Sequence, residues 1–114
     1  MQDRNMAEFI DDLTTLIEVA DSSTVSRTVL TNEGVRIVLF SFDTGEELSE
    51  HTAAMPVLIW VLDGALSITA SGVTHEIRPG GVLSMTTREA HSVVALEPTR
   101  MMLAMLDPRA KASA

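Results

Sequence analysis

Two histidines, His51 and His91, are the residues of this chain best suited to chemistry. Each stands in a stretch with β-strand character: His51 follows a turn at Gly45, and His91 follows the turn 79–81. Imidazole nitrogens can donate or accept hydrogen bonds, bind a metal ion or carry a proton. If the fold brings both rings into one pocket, the pair predicts a polar contact site for a small ligand.

Apolar side chains are expected around this pair. Ala53, Met55 and Val57 continue the inward-facing alternation after His51, and Met85 is placed to line the opposite wall. Apolar walls with a few convergent polar groups describe a typical small-ligand pocket. Methionine also fills ordinary cores, so core filling stays open as the alternative for Met55 and Met85.

Glu47 and His75 are further polar candidates whose orientation the sequence leaves open. Glu47 shares a face with His51 if the strand is regular there, whereas a β-bulge would turn it outward. His75 alternates with Val73 and Ile77, which is compatible with an inward side chain. A histidine on an apolar strand is usually a hydrogen-bonded core residue, and that is the favoured interpretation of His75.

Short β-strands must position these residues. Beyond Val25 the apolar residues alternate with a period of two, and the breaks carry turn residues. The clearest turn is Asp63–Gly64, which predicts a β-hairpin. Regular short strands favour an all-β sandwich or barrel over a fold of alternating strands and helices. The predicted strands are 25–30, 35–42, 57–62, 66–70, 73–77, 82–85, 91–95 and 101–106.

The two ends of the chain show different patterns. Near the N-terminus apolar residues recur at helical spacing, and Asn5 with Glu8 forms a capping box, so a short helix is predicted over residues 6–14. Residues 108–114 are small and charged, which predicts a frayed C-terminus. The chain of 114 residues is thus expected to be a single domain, 1–114, with its barrel core over residues 25–106.

On these residues the chain resembles the cupin superfamily, specifically its small single-domain members. The first cupin motif runs from a glycine through a histidine to a closing glycine, and Gly45, His51 and Gly64 match it. The second motif joins a proline–glycine turn to a later histidine, and 79–81 with His91 match it. The resemblance implies a cupin-type double-stranded β-helix, that is, a jelly-roll barrel.

The same resemblance implies an incomplete, degenerate metal site. In metal-binding cupins three histidines and a glutamate converge, a set that suits iron, manganese, nickel or zinc. The second histidine of the motif falls on Ala53 and the glutamate on Val57, and neither side chain can bind a metal. We therefore expect no cofactor, or at most a divalent metal (Fe, Mn, Ni or Zn) at low occupancy.

Three functions are compatible with these residues. The first is binding of a small molecule of unknown identity, with His51 and His91 as the polar contacts. The second is a metal-dependent cupin enzyme of dioxygenase or isomerase type that uses the two histidines with Glu47 or water. The third is a ligand-sensing module that acts with a separate regulator, because stand-alone cupins resemble the sensory part of some transcription factors.

Composition limits the partners and the compartment. The formal net charge is −8 with only eight Lys and Arg, which argues against nucleic acid and against anionic membranes. The absence of cysteine removes disulfides and thiolate sites. No signal peptide and no long apolar segment is visible, so a cytoplasmic protein is expected. Trp60 alternates outward, which predicts burial against a second subunit, as in a homodimer, or against the N-terminal helix.

Overall fold

The computed structural model describes residues 7–111 of the chain. Within this range the fold contains nine β-strands and one short 3-10 turn at Leu13–Leu16. The strands are β1 (Thr24–Asn32), β2 (Val35–Phe42), β3 (Glu47–His51), β4 (Val57–Asp63), β5 (Leu66–Ala70), β6 (Val73–Ile77), β7 (Val82–Met85), β8 (His91–Ala95) and β9 (Thr99–Leu106). The all-β fold class predicted from the alternation is confirmed.

The strands form two antiparallel sheets. The five-stranded sheet has the order β1-β2-β9-β4-β7, and the four-stranded sheet has the order β3-β8-β5-β6. In β4 and β5 every second side chain is buried, so each sheet turns one apolar face toward the core. Strands that are distant in sequence pair with each other, as β2 does with β9, which is the pairing pattern of a jelly-roll barrel.

The predicted strands agree closely with the observed ones. Five of the eight appear with the same bounds, and the other three are longer by one to three residues. The strand whose bounds were not predicted is β3, although the stretch before His51 was expected to have β-strand character; its sequence is polar apart from Leu48. A strand with a single apolar residue carries no alternation signal, although Leu48 packs against the core.

The helix predicted over residues 6–14 is wrong for the described part of that range. Residue 6 lies outside the described residues, and the chain becomes helical only in the 3-10 turn Leu13–Leu16. The Asp12 carboxylate accepts hydrogen bonds from the Thr14 backbone N–H at 3.0 Å and from its hydroxyl at 2.6 Å. These bonds lower the pKa of Asp12, and such local bonding favours a turn over a longer helix.

After this turn the N-terminal segment lies along the outside of the five-stranded sheet. Ile17 is buried, and its carbonyl accepts a hydrogen bond from Arg100 Nε at 2.8 Å. The Ser41 hydroxyl donates to the Glu18 carbonyl at 2.8 Å. The segment is therefore held to β2 and β9 by side chains that donate to its backbone, although it is not a helix.

The C-terminal segment is ordered further than predicted. Asp107 N–H donates to the Gly34 carbonyl, and Gly34 N–H donates to the Ala110 carbonyl, each at 3.1 Å. Ala110 is only 2% exposed. The frayed C-terminus predicted for 108–114 is thus wrong for residues 108–110, because these bonds dock them on the turn between β1 and β2. Residues 112–114 lie outside the described residues.

The Asp63–Gly64 turn is not the hairpin that its sequence predicts. β4 lies in one sheet and β5 in the other, so the turn carries the chain from sheet to sheet. The Thr99 hydroxyl donates to the Ala65 carbonyl at 3.1 Å, and Ala65 N–H donates back to that hydroxyl at 3.0 Å. Asp63 accepts from Arg100 Nη1 at 2.8 Å. Contacts with β9 therefore replace the pairing with β5 that a hairpin would have.

Trp60 lies on the outer face of the five-stranded sheet, as predicted. It is half-buried and alternates with the buried side chains of Ile59 and Val61. Its cross-strand neighbours are Met102 on β9 and Val82 on β7, and Val82 is 56% exposed. This face is therefore apolar and partly open to solvent. Among residues 7–111, no helix is long and apolar enough to cross a membrane.

Replacing Gly64 by alanine is expected to destabilise the fold more than replacing Gly72 by alanine. Both glycines have positive φ, +96° and +75°, so each variant loses about 1–2 kcal/mol from the left-handed backbone alone. Only at Gly64 would the new Cβ overlap neighbouring atoms, in Pro98 and Thr99. Overpacking of this kind adds about 1–3 kcal/mol. Denaturant unfolding measures both losses, and equal losses would contradict this account.

The homodimer stays a prediction, and the face around Trp60 is where we expect it. Trp60→Glu would place a charge in that interface and weaken dimerisation by about thirtyfold or more, the effect of losing an interface hot spot. Val73→Glu is the matched control, because Val73 is 55% exposed on a strand of the other sheet. Light scattering over a concentration series measures the mass. A monomeric wild type, or equal behaviour of both variants, would contradict the prediction.

Candidate functional site

The pairing of β3 with β8 brings the two histidines together. His51 and His91 are direct cross-strand partners in the register of this pair. Their ring centroids lie 4.2 Å apart, and the ring planes are inclined at 58°. His91 is buried, with 4% of its surface exposed, whereas His51 is exposed. The pair thus extends from the barrel interior to the solvent.

Backbone carbonyls hold both rings by the same nitrogen. His51 Nδ1 lies 2.7 Å from the Ser49 carbonyl oxygen, and His91 Nδ1 lies 2.9 Å from the Glu89 carbonyl oxygen. A carbonyl oxygen can only accept, so these contacts assign the proton to Nδ1 in each neutral ring. The two Nε2 atoms then carry lone pairs that are available to a ligand or to a metal ion.

A cavity of about 310 Å³ lies beside the two rings. Val38 and Phe40 of β2 line one part of its wall, and Leu103 and Met105 of β9 line the adjacent part. This volume is near the lower end of the range of about 300–1,000 Å³ that is usual for ligand pockets. The cavity is therefore suited to a small molecule that has an apolar body.

The packing of the barrel explains why the cavity lies at this end. Along β2 the side chain of Phe42 belongs to the buried core, whereas Phe40 and Val38 line the cavity. Along β8 the buried core contains Val93, whereas His91 lines the cavity. Each strand therefore contributes to the packed core with one end and to the cavity with the other.

Most of the predicted site residues meet at this cavity. Ala53, Met55 and Val57 line it together with His51 and His91. Ala53 and Val57 take the two motif positions at which metal-binding cupins have ligands, and here they form apolar wall. Both imidazoles thus line one largely apolar cavity, and the contact of these residues with a ligand stays a prediction.

Glu47, a candidate contact whose orientation the sequence left open, does not line the cavity. The β3–β8 register shifts between Leu48 and His51, so β3 has one extra residue opposite β8. The shift puts Leu48 and His51 on the inward face, three positions apart. Glu47 is left exposed on the outside of the sheet. This is the outward orientation that a bulge was expected to produce.

Met85 and His75 also lie away from this cavity. Met85 belongs to the buried core, and it is the register partner of Val57. It lies on β7, the edge strand beyond β4, whereas the cavity wall is formed by β2, β9 and β4. Met85 therefore lies outside the cavity beside the two histidines and lines a second cavity with Leu83 and Ala70, and its contact with a ligand stays a prediction. His75 is exposed on the edge strand β6, although its register partner is the buried Ile68, so it lies on the inner face of that sheet beside that second cavity, toward β7.

Arg109 is a cavity-lining residue that the sequence interpretation missed. It lies in the segment predicted to be frayed, directly after Asp107 and Pro108. Its backbone N–H and its Nε donate to Asp107 Oδ1 at 2.9 and 3.1 Å. The hydrogen bonds from Arg109 lower the pKa of Asp107, and the charge of Arg36 acts in the same direction. The Asp-Pro-Arg sequence was the available signal, because an aspartate readily accepts from the backbone two residues later.

The side chains at this site do not fit a resident metal ion. Two imidazole Nε2 atoms are available, but catalytic metal sites usually have at least three protein ligands. Among residues 7–111 no group of three or more histidine, aspartate or glutamate side chains is placed to hold a metal. Glu47, the carboxylate considered as a third ligand, is on the outside of the sheet.

Comparisons with known proteins identify the fold. No protein-family model and no curated protein matches the chain. Among solved structures it is similar to SPY1581 from Streptococcus pyogenes, a conserved protein of unknown function, with 26% identity and a TM-score of 0.79 over 96% of this chain and 97% of that one. It is equally similar to a cupin superfamily protein, DSY2733 from Desulfitobacterium hafniense, with 25% identity and a TM-score of 0.79 over 94% and 99%.

A more distant structure gives the same result for the fold. KdgF from a Halomonas species is 21% identical, with a TM-score of 0.70 over 88% of this chain and 93% of that one. These matches cover nearly the whole chain and agree with its two-sheet topology. The chain therefore has the fold of a small cupin domain, an all-β barrel.

Proposed function

We propose that this cupin domain binds a small organic molecule in the cavity beside His51 and His91. The observation that carries the proposal is the pair of imidazoles, 4.2 Å apart at an apolar cavity, with each Nδ1 held by a backbone carbonyl. Held in this way, the rings are oriented before a ligand arrives. Such preorganisation reduces the entropy that binding costs.

The two rings determine which ligand groups they can contact. In the neutral tautomer assigned by the backbone contacts, each Nε2 is a hydrogen-bond acceptor. A ligand that satisfies both atoms must therefore offer hydrogen-bond donors, such as hydroxyl or amine groups. The apolar body of the same ligand would be buried against Phe40, Met55 and Met105. Apolar burial would supply most of the affinity, and the imidazoles would orient the molecule.

A metal-dependent enzyme is the second candidate, and one observation favours it. Metal-binding histidines usually donate their other ring nitrogen to a carbonyl or carboxylate, as His51 and His91 do here. The rest of the donor set disfavours it, because Ala53 and Val57 occupy the other ligand positions of the motif and Glu47 points away. The absence of a resident metal stays a prediction, and no reaction step is assigned to one.

Metal analysis separates these two candidates. Purified protein from a medium supplemented with iron, manganese, nickel and zinc is expected to contain well below one equivalent of each metal by mass spectrometry. His51→Ala and His91→Ala should leave that content unchanged. One equivalent of metal in the wild type that is lost in both variants would contradict the proposal and favour the enzyme.

Ligand binding is tested with a thermal-shift screen of small alcohols, phenols, amines and carboxylates. A bound molecule at a hundred times its Kd should stabilise the wild type by about 2.7 kcal/mol. His51→Ala should lose about 1 kcal/mol of that gain, the usual value of one hydrogen bond. His75→Ala is the matched control, because His75 is also exposed but lies outside this cavity. Equal shifts in the two variants would exclude His51 as a contact.

A further inference from the structure

Arg109 gives the cavity a fixed positive charge at its opening. Its side chain lines the cavity and is 75% exposed to solvent, which places it between the interior and the bulk water. Among the described residues that line the cavity, it is the one side chain that is charged at every physiological pH. None of those lining residues is acidic, although the chain contains sixteen Asp and Glu.

Asp107 holds the Arg109 guanidinium in one orientation. Nε donates to Oδ1 at 3.1 Å, and Nη2 lies 3.4 Å from Oδ2. Asp107 is 4% exposed, so its position is determined by packing as well as by these bonds. Within residues 7–111, Nη1 has no hydrogen-bond partner. Asp107 thus orients the guanidinium through Nε and Nη2, and Nη1 is available to donate a hydrogen bond to a ligand.

A second arginine adds to this charge. Arg36 shares a face of β2 with Val38, which lines the cavity, and its register partner Met105 lines the cavity too. Its Nε is buried without a hydrogen-bond partner in the described part of the chain. The charge of Arg36 acts on Asp107 in the same direction as that of Arg109, and among the described residues Arg109 alone forms the salt bridge with it. In a chain of net charge −8, a cavity whose described lining contains an arginine and no acidic side chain favours anions.

We infer that the ligand of this cavity is a small hydroxycarboxylate, bound through its carboxylate by Arg109 and through its hydroxyl by the His51 and His91 pair. This inference rests on the proposed function and adds the chemical class of the ligand. Guanidinium matches a carboxylate because its N–H groups form a planar fork. In their neutral form the imidazoles present acceptors at Nε2, which suit the hydroxyl hydrogen and disfavour the carboxylate itself.

Calorimetric titration of the purified full chain tests this class with matched pairs of compounds. The pairs are hydroxybenzoates with hydroxybenzamides, and short aliphatic hydroxycarboxylates with their primary amides. The acid of the best-binding pair should bind about tenfold more tightly than its amide, since a charge-assisted hydrogen bond is lost in the amide. Arg109→Gln should remove this preference, and Arg109→Lys should keep part of it.

The control variants distinguish the effect of the charge at the cavity on binding from the effect of the net charge of the whole protein. Arg78→Gln makes the same change at an arginine that is 58% exposed, bound to Glu76 and absent from this cavity. It should keep the preference for the acid. Because Arg109 is also exposed, Arg109→Gln is expected to fold, and circular dichroism checks this. His51→Ala should lower the affinity for the acid and the affinity for the amide by the same factor.

Each outcome of the titration decides for or against the inference. Equal affinity for acid and amide would overturn it, as would a preference that survives in Arg109→Gln or disappears equally in Arg78→Gln. If no acid binds but a neutral molecule from the thermal-shift screen does, the inference is wrong and the proposed function stands. If the acid preference holds while His51→Ala has no effect, the anion site stands and the role of the imidazole pair in the proposed function fails.

Discussion

The candidate site depends on a single irregularity, the extra residue in β3. Glu47 and Leu48 pair with Val94 and Val93 of β8, and a regular ladder would continue this register to place Glu50 opposite His91. The bulge places His51 there instead. Without it, a carboxylate would enter the apolar cavity and the second imidazole would face the solvent. One inserted residue therefore determines whether the barrel presents an imidazole pair.

The sequence predicts the fold well and the site only in part. The reason is that the bounds of most strands depend on a local sequence pattern, whereas the position of Glu47 depends on pairing between strands. Most strands have one buried face, so alternation and turn residues reveal their bounds. The side of the sheet on which Glu47 lies depends on a bulge, which is a property of the pairing with β8 and leaves no trace in a short polar strand. Arg109 was missed because the segment that carries it is ordered by hydrogen bonds to the distant Gly34.

The two ends of the barrel differ in packing. At the packed end, the turn at Gly64 lies against Pro98 and Thr99 and joins the two sheets around the buried core. At the open end, the cavity interrupts that packing and exposes His51 to the solvent. Apolar packing supplies most of the stability of a domain this small. The open end can therefore carry polar groups that a packed core could not accommodate.

Ala53 and Val57 have two effects on the cavity. They remove two metal ligands, and they change which ligand groups the cavity can contact. A histidine and a carboxylate at these positions would project polar atoms into the cavity, whereas the side chains present leave an apolar wall beside the imidazole pair. With a metal ion, a ligand could be held by coordination to the cation. With this wall, the fixed positive charge comes from Arg109, which lies at the opening and not at the centre. Recognition of an anion would thus shift from the middle of the barrel to its rim, and the histidines would be free to contact a neutral donor.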